Sequence, residues 1–186
     1  MQLYAIGKYH LSILTTTACY SDEARDMLTT EAMMHNPDYI LWIDADQVYP
    51  KDTPEILKNH IDDGKLIVGG LTPHGGSGQP LVYDMVGPLG PCWPKEVSLH
   101  QGLIKIDAMG LGGIMMSPEV FKIMKSPWFR MIWNKKEGFR PGMDFQFYGN
   151  CKKAGIDIWC DTDLIFGHVA VGLIEAKENK PKINIA

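Results

Sequence analysis

The stretch Ile40-Leu41-Trp42-Ile43-Asp44-Ala45-Asp46 decides how the rest of the chain reads. A short, continuous apolar run of this kind belongs to a strand covered on both faces. It runs out into two carboxylates two residues apart, which places both at the strand's carboxyl end. Open α/β sheets bind their ligands there. Carboxylate oxygens suit hard cations, and Mg²⁺ commonly takes one or two of them together with substrate phosphates. The competing reading is a pair of solvated turn aspartates ahead of Thr53.

On the N-terminal side, Leu11–Thr17 is short and β-branched, the pattern of a strand. Ser21 then offers an N-cap, with Asp22 and Glu23 in the first turn. Ala24, Met27, Leu28, Ala32 and Met34 carry the apolar spacing of a helix that ends near Asn36-Pro37. On the C-terminal side, Thr53-Pro54 opens a helix with Ile56, Leu57 and Ile61 inward and Gly64 just past its end. Leu66-Ile67-Val68 reads as a buried strand broken by Gly69-Gly70. Leu81–Val86, Gly102–Ala108, Gly112–Met116 and Ile156–Cys160 read as further strands. Helices are expected from Ser117-Pro118 through Met124 and from Asp144 through Ala154, the second stopped by Gly155. Strands and helices that alternate early and become irregular later indicate an α/β fold with a mixed sheet.

The chain has 186 residues, 45% of them hydrophobic and 22% charged, which suits one globular domain and excludes disorder throughout. No apolar run approaches the roughly 18–20 residues that span a bilayer. The N-terminus lacks the charged and apolar regions of a signal peptide. A net charge of −4 argues against a dedicated nucleic-acid binder. The four cysteines, Cys19, Cys92, Cys151 and Cys160, form no CxxC pair, so reduced thiols in a cytoplasmic protein are expected. Glycines and prolines are scattered as punctuation, with no linker and no repeat. One domain is therefore expected over 1–175, followed by a solvated polar tail over 176–186.

Two families place a DxD after an apolar strand. Haloacid-dehalogenase-type phosphatases carry DxDx(T/V), which Asp44-Ala45-Asp46-Gln47-Val48 fits, but their motif opens the domain, and here a strand and helix precede it. The stronger resemblance, over most of the chain, is to GT-A glycosyltransferases, particularly the short viral and phage type. Ala24-Arg25-Asp26 resembles the opening of the helix before the DxD strand, and Ile67-Val68-Gly69-Gly70 resembles the strand after it. Asp107 through Met116 resembles a small-residue segment beside donor sugar and acceptor. Gly142-Met143-Asp144-Phe145-Gln146-Phe147 is similar to a Glu-Asp-x-x-Phe element, with Met143 in place of the glutamate. Gly155 through Gly167-His168 is similar to an ending in which a histidine completes the metal site.

The resemblance implies a three-layer GT-A-like domain that moves a sugar from a nucleotide-sugar donor to a hydroxyl on a glycan or protein, with inversion. It implies Mn²⁺ or Mg²⁺ held by Asp46 and His168, with Asp44, Arg25, Gly112 and Gly113 on the donor and Asp144 as general base. Each residue also has a plainer reading. Asp144 could be a helix N-cap, Arg25 an ion pair on its helix, and Gly112-Gly113 a bulge. Trp128 and Trp133 read as core packing rather than as a sugar platform. His10, His35, His60, His74 and His100 read as ordinary surface or core residues.

GT-A domains open with a strand and a base-binding loop. Here Leu11–Thr17 aligns with the second strand, so the first is missing or reduced to Met1–Tyr9. The alternative function is thus a non-catalytic carbohydrate- or nucleotide-binding protein. The bare sheet edge also implies a second copy or a companion chain at the N-terminus. A viral origin would place the protein in the host cytoplasm.

Overall fold

A computed structural model describes residues 2–6, 9–17, 20–87, 92–131, 142–169, 172–175 and 183–185. The strands before the first long loop are β1 (Gln2–Ile6), β2 (Tyr9–Ile13), β3 (Ile40–Trp42), β4 (Gln47–Val48) and β5 (Ile67–Leu71). There follow β6 (Val82–Met85), β7 (Cys92–Pro94), β8 (Leu103–Ile106), β9 (Ala108–Met109) and β10 (Ile114–Met116). The last are β11 (Ile158–Ile165), β12 (Gly167–Val169), β13 (Gly172–Glu175) and β14 (Ile183–Ile185). The helices are α1 (Ser21–Met34), α2 (Thr53–Asp62), α3 (Glu119–Ile123) and α4 (Met143–Lys153). Tyr20 and Asp52, rather than Ser21 and Thr53, hold the cap positions of α1 and α2.

The central sheet has the order β3-β10-β5-β11-β8 and is mixed. β10 runs antiparallel to both β3 and β5, and β11 runs parallel to β5, so β3, β5 and β11 share one direction. Their carboxyl ends therefore lie along the same edge of the sheet. Side chains alternate across it as the period of two requires. Val68 and Met115 face α2 with Leu57, Leu164 and Phe166. Ile67, Ile114 and Met116 face the larger cluster, with Phe121, Phe129, Phe147 and Tyr148 and with Leu28, Ala32 and Met33 of α1. Helices cover both faces, an α/β arrangement of three layers. No helix among the described residues is long and apolar enough to cross a membrane.

Four expectations need correction. The N-terminal strand is Tyr9–Ile13, and it pairs antiparallel with Gln2–Ile6 in a separate hairpin, outside the central sheet. Only two residues separate the strands, the spacing of a tight hairpin, and Leu11 and Ile13 are exposed. β3 is consequently the edge strand of the central sheet among the described residues. Gly69-Gly70 does not break β5 but lies fully buried within it. The strand of the 156–160 region runs on to Ile165, carrying Asp161 and Thr162 inside. The C-terminal segment is not simply a tail: Ile183–Ile185 pairs with β13, so a boundary at 175 falls between two paired strands.

The buried glycines explain why β5 tolerates them. A Cβ on Gly69 would stand 2.7 Å from Met109 Sδ and 2.8 Å from Ile114 Cγ1, and one on Gly70 would meet the Leu164 carbonyl and the Phe166 ring. Gly113 also lies against the Phe166 ring and has φ +70°. Overpacking costs about 1–3 kcal/mol and the left-handed backbone about 1–2 kcal/mol more. Gly113→Ala should therefore lower the urea midpoint well beyond Gly64→Ala. At Gly64 (φ +87°) nothing lies within 4 Å of the added methyl, so only the backbone cost applies. Equal midpoints, at unchanged denaturant slope, would refute the packing role of Phe166.

Candidate active site

The carboxyl edge of β3, β5 and β11 gathers two loops, Ile43–Asp46 and Thr72–Leu81, and the start of β12 at Gly167–His168. A second sheet, ordered β14-β13-β12-β4, fixes how two of them meet. β4 pairs antiparallel with β12 so that Gln47 lies opposite His168, and Val169 N–H donates to the Asp46 carbonyl at 2.7 Å. This backbone pairing brings together Asp46 and His168, 122 positions apart in the chain, with Nε2 and Oδ2 3.3 Å from each other.

The other nitrogen of His168 settles the chemistry of that contact. Nδ1 lies 2.9 Å from the Pro73 carbonyl, which can only accept, so Nδ1 carries a proton. In the neutral ring Nε2 then presents a lone pair toward a carboxylate, and a cation or a second proton between them removes the repulsion. A histidine oriented through its far nitrogen is the usual support of a metal ligand. Among the described residues no group of three or more His, Cys, Asp or Glu side chains could hold a metal. One carboxylate and one imidazole, with further positions left to substrate phosphates, nevertheless form a donor set that fits a divalent cation able to take a nitrogen ligand beside oxygens, as Mn²⁺ does more readily than Mg²⁺.

Asp44 faces a different partner. Arg25 Nη2 donates to its Oδ1 at 2.9 Å, reaching across from α1, while the guanidinium carbon lies 4.9 Å from the centre of the Trp42 ring. Arg25 thus forms an ion pair with a carboxylate of the DxD turn and not, as its plainer reading had it, on its own helix. Tyr49, which sequence reasoning missed, organises that turn. Asp44 N–H donates to the Tyr49 hydroxyl at 2.9 Å, and this hydroxyl donates to Gln47 Oε1 at 2.9 Å. Burial pushes Tyr49 up to about 12, with the Asp44 and Asp46 carboxylates adding to it and the Asp44 N–H acting against it, so the donor proton stays. Its ring packs edge-on against Phe166 at 4.9 Å, tying the turn to the strand that leads to His168.

Asp144 stands in the first turn of α4 but is not its N-cap; Gly142 holds that position and no side chain caps the helix. Burial raises its carboxyl above the ordinary aspartate value; Arg25 draws it down and Asp44 pushes it up. Asp144, Asp44 and Arg25 therefore share one electrostatic environment. Two buried donors border it without a partner among the described residues, Tyr148 Oη and Trp42 Nε1.

Gly112 and Gly113 are both buried. A Cβ on Gly112 would come within 2.5 Å of Asp44 Oδ2 and Gln47 Nε2, so its bareness admits the DxD turn. Gly113 N–H donates to the Trp42 carbonyl, and Phe166 fills the space where its side chain would be. Both glycines are accounted for by packing without a ligand. Trp128 is core, its Nε1 donating to the Phe121 and Met124 carbonyls; Trp133 lies outside the described residues. Cys151 and Cys160 are buried, and burial pushes both thiols up; Cys19 lies outside the described residues. His35, His60 and His100 face Glu31, Asp161 and Asp163.

No family model matches the chain, and no curated protein does. Among solved structures, the crystal structure of A197 from STIV superposes with a TM-score of 0.64 at 16% identity, over 91% of this chain and 80% of that one. At that identity the likeness concerns the fold.

Proposed function

We propose that this chain is a metal-dependent glycosyltransferase of GT-A type that transfers a sugar from a nucleotide-sugar donor to an acceptor hydroxyl with inversion. The observation that carries the reading is the facing pair Asp46 and His168, with His168 oriented by the Pro73 carbonyl. Those two residues would hold the cation, and the imidazole favours Mn²⁺ over Mg²⁺. A bound cation would supply Lewis-acid neutralisation of the diphosphate leaving group. Asp44, steadied by Arg25 and Tyr49, would orient the donor. Asp144 would take the proton of the acceptor hydroxyl as its oxygen bonds to the anomeric carbon and the bond to the diphosphate breaks. A carboxylate raised by burial is a stronger base than a solvated one, which suits that task.

The test is thermal stability with UDP or GDP, each with Mn²⁺ and with EDTA. A ligand at about a hundred times its Kd stabilises by about 2.7 kcal/mol, equivalent to roughly 5–10 °C for a chain of this size. The shift should require the metal. Absence of a shift with every nucleoside diphosphate and divalent cation would sink the reading. Hydrolysis of a nucleotide sugar would then separate a transferase from a binder.

A further inference from the structure

The segment between β5 and β6 folds over the imidazole of His168. Pro73 accepts from its Nδ1, and Gly75 lies so close that a Cβ there would stand 3.4 Å from His168 Cε1. His74, between these two, is exposed. The loop closes on itself: His74 N–H donates to the Gln79 carbonyl and Gly78 N–H to the His74 carbonyl, both at 2.8 Å. Inside it, His74 Nδ1 receives Gly76 N–H at 3.1 Å and Ser77 N–H at 3.3 Å, with Ser77 Oγ also at 3.3 Å.

Backbone N–H groups only donate, so Nδ1 is the bare nitrogen of this ring and the proton sits on Nε2. Among the described residues Nε2 has no hydrogen-bond partner. One ring nitrogen thus builds the loop and the other is left as an N–H donor. From 75 to 78 no side chain exceeds the hydroxymethyl of Ser77, so a ligand can come close to the loop's backbone.

We propose that His74 is a donor-binding residue whose Nε2–H gives a hydrogen bond to a phosphoryl oxygen of the nucleoside diphosphate held at Asp46 and His168. The inference rests on the glycosyltransferase reading and adds a leaving-group contact to it. As the bond between sugar and diphosphate breaks, the departing oxygen keeps the electron pair and gains negative charge. The hydrogen bond strengthens while the proton stays on Nε2.

Two variants separate the nitrogens. His74→Asn keeps an acceptor where Nδ1 lies, able to hold the turn as asparagine commonly does, but has no donor in place of Nε2–H. His74→Gln keeps an N–H near the Nε2 position and loses the turn acceptor. Binding of UDP, GDP and inorganic pyrophosphate with Mn²⁺ would be measured by calorimetry on the full chain, alongside melting temperature. His74→Asn should melt with wild type yet bind UDP and pyrophosphate roughly 10–100-fold more weakly, the range for a hydrogen bond to a charged group. His74→Gln should melt lower and keep more of the affinity. Wild-type affinity in His74→Asn would reduce His74 to a turn cap and overturn the proposal, leaving the transferase reading intact. Equal losses in both variants, matched by equal melting shifts, would overturn it likewise. A wild-type chain that binds none of these probes would overturn both.

Discussion

Asp144→Asn should leave nucleotide binding in place, lower turnover by roughly 10²–10⁴ and raise the melting temperature at neutral pH. The loss of turnover is the loss of a proton acceptor at unchanged shape. The gain in stability follows from the raised carboxyl. Burial, outweighing Arg25, lifts the folded-state value above the unfolded one, so this group's contribution is full below the unfolded pKa of about 3.9 and is lost as pH rises through the folded value. Asparagine has nothing to ionise, so its advantage opens above that window and is absent in acid. Melting temperature against pH for both proteins checks this, and the curves should converge at low pH. If the variant melted lower at pH 7, or failed to bind UDP, Asp144 would belong to the fold or the metal shell.

Asp46→Asn has the larger effect on binding. The Asp46 side chain is mostly exposed, and its turn is held by the Val169 N–H to the backbone carbonyl rather than by the carboxylate. The fold should therefore change by no more than about 0.5 kcal/mol, the usual range for a surface substitution. Removing even an outer partner of a metal ligand commonly costs about 10–100-fold in metal affinity, and loss of a ligand itself should exceed that. The Mn²⁺-dependent shift with UDP should then vanish. His168→Ala should do the same through the opposite ligand. Retention of the full shift in Asp46→Asn would refute the assignment of this pair to a cation.

The resemblance picked out Asp46 and His168, and the structure puts them in contact. Their roles rest on the proposal, but their proximity is a backbone fact of β4 paired with β12. Tyr49 and His74 escaped notice because their signals are not local. Tyr49 lies just beyond the DxD turn and looks like any half-buried tyrosine until its hydroxyl is seen between Asp44 and Gln47. His74 in a glycine-rich loop looks like a surface histidine until Gly76 and Ser77 are seen donating to one ring nitrogen. The glycine pairs misled in the other direction. Gly69-Gly70 reads as a break because glycine weakens strands in isolation, whereas Phe166, Met109 and Ile114 supply the packing that holds it in β5.

By itself the sequence determined β3 with its carboxylate turn, the helices α1, α2 and α4, and the alternation that makes this an α/β chain. Those features are set by apolar spacing, by Pro54 at a helix start, and by Gly64 and Gly155 past helix ends, all within a turn or two of chain. The tertiary structure alone decided that the N-terminal strands form their own hairpin, that Ile183–Ile185 returns to pair with β13, and that Tyr49 and Arg25 converge on Asp44. Each of these depends on hydrogen-bond register or free volume between separate segments. Such quantities exist only once both segments are in place, so no local pattern carries them.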